Sequence, residues 1–435
     1  MFFVCYIVND RSVTCMTGND LGLGGGVTSA EIIDAAFRAW GRDLYLDTSL
    51  SQVARELGVS KPALYRHFRN KQALLDAMTV HFFDDFTAFV RADYEKALHE
   101  EPETGIFTLI RVIARYFAQN VYAFIFSLVK LYDRCTSSVD MGEELRARGV
   151  DFGKNYASDP LLMRLIFTTL TFFMAIFHKR GKTLTNPPSP EAMARQIDLI
   201  IEITERGLGY SSSEIGAIDF AALEGRVSGT ISGVEGDPLL RAVAGAVAEA
   251  GPWEASMEQV ARRSGLSKSS LYGHFTSKHD MLRQLFMTEF ERITDFARQG
   301  MGHSTDTLER LYLGIFSIAE YLRAKPDILV AMDWVRTRRL DFVKEDKRAF
   351  KQIDNAAWQD GLPPGFHRLL EDIVITPFRS GERFDDERSR RWISHWILFL
   401  IINILVRPGE EETIKNEDIR LLYRFLTLGI GGCTS

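Results

Sequence analysis

An all-α fold built as two tandem units is what this sequence of 435 residues predicts, on three observations. The first is an internal repeat. Leu50–Leu75 (LSQVARELGVSKPALYRHFRNKQALL) and Met257–Leu282 (MEQVARRSGLSKSSLYGHFTSKHDML) lie 207 residues apart and align without a gap, identical at 13 of 26 positions. Chance does not give that density in so short a window, so each half of the chain reads as one copy of the same unit. The second is a series of helix-start signals repeated in both halves, serine or threonine followed three residues later by a side chain that reaches back. The third is periodicity: apolar residues recur at helical spacing, and no stretch offers a series of alternating strands. The length is also too great for one ordinary core.

Taken in order, residues 1–27 read as an unstructured leader that ends in a glycine run, Gly22 to Gly26. MFFVCYIV is apolar but lacks a basic start and a cleavage site, so it is not read as a signal peptide, and Met16 is an alternative first residue. Thr28-Ser-Ala-Glu31 is a capping box, followed at helical spacing by Ile32, Ile33, Ala36, Phe37 and Trp40. Its counterpart is Asp237-Pro238, an N-cap with proline at the first helical position. Ser49-x-x-Gln52 and Ser256-x-x-Gln259 then open a two-turn helix that closes at Gly58 or Gly265, where the tight turn needs a left-handed residue. A second short helix starts at Ser60 or Ser267, and a third at Asn70 or Ser277. Helix, glycine turn, helix is the helix-turn-helix pattern. Val53, Ala54, Leu57, Val59, Leu64 and Phe68 supply its small core; the second copy offers Val260, Ala261, Leu266, Leu271 and Phe275, with Ser264 in place of a leucine.

Each repeated stretch is followed by about 130 residues of aromatic-rich amphipathic helix, broken at Asn186–Pro190 and Gly361–Gly365. Both halves end alike, IIEITERGLGY and LYRFLTLGIGG, with Gly207 and Gly209 in register with Gly429 and Gly431. The expected domains are therefore 28–78 and 237–285 for the two heads, and 79–210 and 286–432 for the two helical bodies. Residues 211–236, rich in serine and glycine, read as a linker with a reach of ~85 Å when extended. Two apolar runs, Leu161–Phe177 and Trp392–Val406, fall short of the ~20 residues a spanning helix needs and are broken by Arg164, His395 and Asn403. They read as buried core or interface helices, and no membrane partner is expected.

Charge sharpens the picture. The net charge of −6 argues against wholesale affinity for nucleic acid, yet the two repeated stretches carry surpluses of +4 and +2. They are basic islands in an acidic chain. Four cysteines (Cys5, Cys15, Cys135, Cys433) show neither metal-ligand nor disulfide spacing, which fits a reducing cytoplasm. No nucleophile–base spacing or metal cluster stands out, and the glycine run follows no strand and lacks the Lys-Ser/Thr ending of a phosphate loop. No enzymatic activity, cofactor or metal is expected.

The basic element presents its donors on one edge. Ser60 or Ser267, with Lys61 or Lys268 beside it, stands at a helix start whose N–H groups suit phosphate or base edges. Tyr65 and His67, or Tyr272 and His274, follow, with Lys71 or Lys278 opening the next helix. The strings VARELGVSKPALYRHFRNKQALL and VARRSGLSKSSLYGHFTSKHDML resemble the N-terminal DNA-binding domain of the TetR (tetracycline repressor-like) family. The resemblance covers about 50 residues of each half; the bodies resemble the family only in length, helicity and position. It implies phosphate contacts at Ser49, Lys61, Tyr65, His67 and Lys71, and at Ser256, Lys268, Tyr272, His274 and Lys278. It places the base-reading positions on Pro62, Ala63 and Arg66 in one copy, and on Ser269, Ser270 and Gly273 in the other. Arg66 has the fork to engage guanine, whereas Gly273 has no side chain to offer.

Plainer readings stand beside these. His67 and His274 also suit caps on a local core beside Phe68 and Phe275; the tyrosines suit half-buried packing; Lys71, Lys278 and Arg66 suit solvated surface positions. Among the body aromatics, Phe117, Tyr122, Phe126, Phe173 and Phe177, with Trp334, Trp392 and Trp396 in the second half, suit either core packing or an apolar pocket for a small hydrophobic effector. The resemblance implies a transcriptional regulator, ordinarily a repressor dimer on a palindromic operator in double-stranded DNA. Here both heads sit on one chain. A fused pseudo-dimer follows, or else a homodimer of it, with Leu161–Phe177 and Glu191–Leu208 packing on Trp392–Val406 and Glu412–Leu428. The rival is a sensor or interaction protein whose second head, with Gly273 and Ser264, has lost DNA binding.

Overall fold

The structure is a computed structural model that describes residues 27–42, 45, 49–100, 105–131, 141–150, 159–181, 186–228, 237–337, 387–406 and 414–433. Every regular element among the described residues is helical. The leader and Gly361–Gly365 lie outside them. The chain forms two compact units: Met1–Ser158 with Leu170–Ile201 and Thr337–Lys344, and Asp159–Thr169 with Glu202–Arg336 and Glu345–Ser435. Packing thus divides the chain differently from the repeat, because segments near the end of the first copy belong to the second unit.

In the first unit, α1 (Ser29–Arg42) opens on the Thr28–Glu31 capping box, with Thr28 N–H donating to Glu31 Oε2 at 2.8 Å. Its buried stripe includes Ile32, Ile33, Ala36, Phe37 and Trp40, the spacing that the sequence sets. Trp40 Nε1 donates to the Ser49 carbonyl at 3.2 Å, which fixes the start of α2 (Leu50–Leu57). Ser49 and Gln52 cap α2 reciprocally, and Gly58 closes it at φ 66°. The short α3 (Lys61–Tyr65) leads to α4 (Lys71–Glu100), where Asn70 Oδ1 accepts from Ala73 N–H at 2.8 Å. Helix α5 (Gly105–Gln119) lies along α4, and α6 (Val121–Phe126) runs into a π turn at Ser127–Leu131. Stacked and edge-on rings of Phe82, Phe86, Tyr116, Phe117 and Phe124 fill the seam between α4, α5 and α6. Tyr116 closes it by donating its hydroxyl to Asp85 at 2.8 Å. Helix α7 (Met141–Ala147) follows, and its outgoing turn ties back to α4 through Arg148 and Asp84 at 2.5 Å. The long α8 (Pro160–Gly181) and α9 (Pro190–Arg206) follow, each only partly in this unit. The later turns of α8 lie in this unit, where Phe173 O accepts from Gln196 of α9 at 2.8 Å.

Part of the segment read as a linker has regular structure. Residues 212–216 and 220–228 are helices, α10 (Ser212–Gly216) and α11 (Phe220–Ser228), rather than extended chain. Ser211 and Glu214 form a capping box, and Ile215, Phe220, Leu223 and Val227 are buried. Glu224 anchors the segment. Its carboxylate accepts two bonds from Arg420 (2.7 and 2.9 Å), one from Asn416 (2.9 Å) and one from the Tyr312 hydroxyl (2.5 Å). Burial works against the charge on Glu224, yet these donors hold its carboxyl below the usual range. Composition hid this because the serines and glycines flank the apolar positions that pack.

The second unit repeats the head: α12 (Pro238–Glu254), α13 (Met257–Ser264), α14 (Lys268–His274) and α15 (Lys278–Met301). Asp237 caps α12, and Ser256 with Gln259 caps α13, which closes at Gly265 (φ 71°). Helix α12 is interrupted at Gly251 (φ 82°), immediately before Pro252. Helices α16 (Thr307–Ala324), α17 (Pro326–Thr337), α18 (Glu387–Leu405) and α19 (Asn416–Leu428) form the body. The Tyr321 hydroxyl donates to Glu289 at 2.7 Å, tying α16 to α15 as Tyr116 ties α5 to α4.

Segments of the first copy enter this unit. Thr169 Oγ1 at the middle of α8 accepts from Trp396 Nε1 of α18 at 3.0 Å, and Arg164 donates to the Val406 carbonyl at 2.7 Å. Past the end of α9, Leu208 N–H donates to Leu426 O (2.7 Å) and Tyr210 N–H to Thr427 O (3.1 Å). Gly207 (φ 56°) and Gly429 (φ 70°), in register in the two copies, make this approach possible. A Cβ on Gly207 would collide with the Leu426 carbonyl, and one on Gly429 with that of Glu205. Helix α8 is longer than its apolar run: Pro160–His178 is long and apolar enough to cross a membrane, but 83% of that window is buried inside the protein. A core helix passes the same test.

Candidate nucleic-acid interface

Local chemistry builds each head the same way. The capped α2 or α13 fixes the glycine turn, and the turn leads into α3 or α14, where only Leu64 or Leu271 is fully buried. Phe68 and Phe275 are buried just beyond. What remains of the short helix faces outward. Lys61, Pro62, Tyr65, Arg66 and His67 are exposed, as are Lys268, Ser269, Ser270, Tyr272, Gly273 and His274, while Ala63 is half-buried. The tyrosines are not packed in a core: Tyr65 is 47% exposed and Tyr272 52%, whereas tyrosines of the bodies such as Tyr116 and Tyr312 are buried. Lys61 Nζ stands 5.9 Å above the Tyr65 ring, so cation and aromatic present one surface.

Ser49 and Ser256 use their side-chain oxygens as caps, which leaves each hydroxyl proton free to turn outward. His67 does not pack in the core. It is exposed, and its Nδ1 lies 3.1 Å from the Ser29 hydroxyl at the start of α1. His274 has a different setting, its ring 6.5 Å from that of Phe275 and its carbonyl accepting from Gln284 at 3.5 Å. Lys71 is exposed and Lys278 half-buried at the first turns of α4 and α15.

The backbone donors at the short helices are fewer than the sequence suggests. Ser60 makes no side-chain cap, and Pro62 has no N–H to give. In the second head Ser267 takes the Ser270 N–H at 3.1 Å, and its hydroxyl also bonds those of Ser269 (2.9 Å) and Ser270 (2.8 Å). Ser269 and Ser270 of the second head are thus held in a hydroxyl network, whereas Arg66 on the first is exposed and forms no salt bridge among the described residues.

Some arginines are paired with carboxylates, in the heads (Arg38 and Arg42 with Glu56, Arg263 with Glu249) as in the bodies (Arg115 with Asp93 at 2.7 Å, Arg292 with Glu289 at 2.7 Å, Arg323 with Glu320 at 2.5 Å). In the heads Arg55, Lys61, Arg66, Arg69, Lys71, Arg262 and Lys268 form no salt bridge among the described residues. These exposed cations give each head a basic surface, the kind to which an anion is attracted. Arg55, Arg69 and Arg262 were visible in the sequence only as net charge; their exposure adds them to the surface.

The aromatic set is placed otherwise. Phe117, Phe126, Phe173, Phe177 and Trp396 are buried, and Tyr122 is half-buried. Phe126 packs at 5.0 Å on Phe37 of α1, 5.7 Å from Tyr45 and 5.7 Å from Phe82 of α4. Tyr122 covers Gly41, where a Cβ would come within 2.8 Å of its ring. These two form the joint between the first head and its body. Phe117 stacks on Phe86 and meets Phe124 edge-on, and Phe177 lies beside the buried His178. The side chains of Trp334 and Trp392 lie outside the described residues.

Fold and surface together define a protein with two helix-turn-helix heads, each presenting an exposed basic face. Residues 32–78 and 239–285 each match the model of a family described as bacterial regulatory proteins, tetR family. The chain therefore carries two tetR-family N-terminal domains in tandem, and these are the domains of DNA-binding transcriptional regulators. The two matches are equal in length and lie 207 residues apart, the same offset as the repeat.

Proposed function

We propose that this chain is a sequence-specific transcriptional regulator that reads one asymmetric operator with two unlike heads. The observation that carries the reading is the contrast between them. Their exposed phosphate-facing residues (Lys61/Lys268, Tyr65/Tyr272, His67/His274) match in kind, whereas the base-facing ones (Pro62, Ala63, Arg66 against Ser269, Ser270, Gly273) do not. Phosphate contacts set register and base contacts specify, so the two heads would dock alike and read differently. The copies would act as a fused pseudo-dimer, their heads in major grooves about 34 Å apart. Support comes from the second unit, where α8 meets α18 and the ends of α9 and α19 cross at paired glycines.

Repression, release by a small hydrophobic effector and a cytoplasmic location complete the proposal. The domain limits 28–78, 79–210, 237–285 and 286–432 belong to it, as do the DNA-facing roles above. Selection of bound sites from random duplex DNA by the full chain tests it. Two different half-sites in fixed order are expected. A palindrome, or a single half-site that leaves the second head without sequence preference, would overturn it.

A further inference from the structure

A chain that carries two copies of one domain can assemble them wrongly, with the first helix of one head packed on the second helix of the other. Tandem repeats are prone to this. An ion pair joins these helices in each head. In the first, Arg42 of α1 bonds Glu56 of α2, with Arg38 adding a second contact at 3.4 Å. In the second, Glu249 of α12 pairs with Arg263 of α13 at 2.5 Å. The offset of 207 residues, fixed by the repeat and by both family matches, makes Arg42 the counterpart of Glu249 and Glu56 that of Arg263. The positions are the same and the polarity is inverted. The third position follows suit. Arg38 corresponds to Gly245, where a Cβ would stand 2.7 Å from Arg263 Nη1, so the second head leaves room for the long side chain that the first head puts on the other helix.

We propose that this inverted ion pair is a pairing code that keeps each head's first helix on its own partner and rejects the other's. Correct assembly joins opposite charges twice. Exchange would set Arg38 and Arg42 against Arg263 without room for all three, and Glu249 against Glu56 beside the empty Gly245 position. Both cross-contacts are repulsive, and discrimination by an element that penalises the wrong partner is how related interfaces stay separate. The repeat supplies the need for such a code, because the rest of the head is so alike: the capping boxes, the glycine turns and the buried valine and alanine of the second helix coincide.

The test uses the full chain and three variants. R38G/R42E/E56R gives the first head the polarity of the second; G245R/E249R/R263E gives the second that of the first; the sextuple variant combines them and restores the inversion. Each is refolded by dilution from urea over a range of concentrations and analysed by size exclusion with light scattering. Helical content and melting temperature report folding. Either triple variant is expected to raise the fraction of exchanged dimers and larger species several-fold, in a concentration-dependent way, and the sextuple to return it to the wild-type level. If a triple variant folds and its oligomer fraction equals that of wild type, the proposal fails. Failure of all three to fold would also overturn it, since the code requires that each head accept either polarity. Failure of the triples alone, with a folded sextuple, supports it.

Discussion

At Arg66 the first head commits a long, planar, unpaired cation to the surface at the position where the second head has no side chain at all. A guanidinium that meets a guanine edge on two bonds discriminates by ~1–3 kcal/mol, while a lysine on phosphate binds every sequence alike. Arg66→Ala is therefore expected to lose ~1–3 kcal/mol on the preferred site only and to relax one half-site. Lys61→Ala should weaken specific and random duplexes equally. Gel shifts on the selected operator, a half-site mutant and random DNA separate the two; equal losses from Arg66→Ala on all three would remove it from the reading. His178 carries a different kind of prediction. It is buried beside Phe124 and Phe177 with Nε2 at 2.9 Å from the Phe117 carbonyl, and burial pushes its pKa down to about 4. The unfolded chain holds the ring near its ordinary value of 6.5 and so binds more protons between pH 6.5 and 4. Stability is complete above that window and falls through it as pH drops, by at most ~3 kcal/mol. Urea titrations at pH 7 and pH 5 should show the loss, and His178→Asn should flatten it.

At the scale of elements, the heads were legible because their signals are local. A capping serine, a buried valine one turn on and a closing glycine fix α2 and α13 without reference to the rest of the chain. The joint was not. Phe126 and Tyr122 look in sequence like members of an aromatic pocket; only the packing of α6 on α1 shows that they meet Phe37 and Gly41. The same holds for α11, whose tie to α16 and α19 runs through one carboxylate and partners about 90 and 190 residues away. The inverted ion pair lay open to a comparison of the copies, but a charge 14 residues from its partner has no periodic signature. Glycines make the contrast testable. Gly58 is left-handed in open space, so Gly58→Ala costs only its backbone strain, ~1 kcal/mol. Gly207 is left-handed against the Leu426 carbonyl, so Gly207→Ala must also disrupt the Leu208–Leu426 and Tyr210–Thr427 backbone hydrogen bonds. Its loss in urea unfolding should exceed that of Gly58→Ala by ~2 kcal/mol or more; equal losses would mean that the crossing yields without resistance.

For the whole molecule, the proposed two-headed reading bears on the electrostatics of binding as well as on its symmetry. Joining the heads covalently converts the second docking event into an intramolecular one, so affinity rises without new contacts, provided both heads engage. The acidic remainder of the chain, with a net charge of −6 overall, keeps the attraction local to the basic elements. Each lysine that displaces a counterion from phosphate adds about one to the slope of log affinity against log salt. Lys61 and Lys268 are equivalent, exposed and unpaired among the described residues, and they test the two heads separately. On the full operator, Lys61→Ala and Lys268→Ala are each expected to reduce the slope by about one, and the double variant by about two. Light scattering of the complex should find one chain of 49.3 kDa per duplex. A slope that falls for Lys61→Ala but is untouched by Lys268→Ala would mean that only the first head rests on DNA; the Ser267–Ser269–Ser270 hydroxyl network and Gly273 would then mark a head that has given up reading rather than one that reads a different half-site.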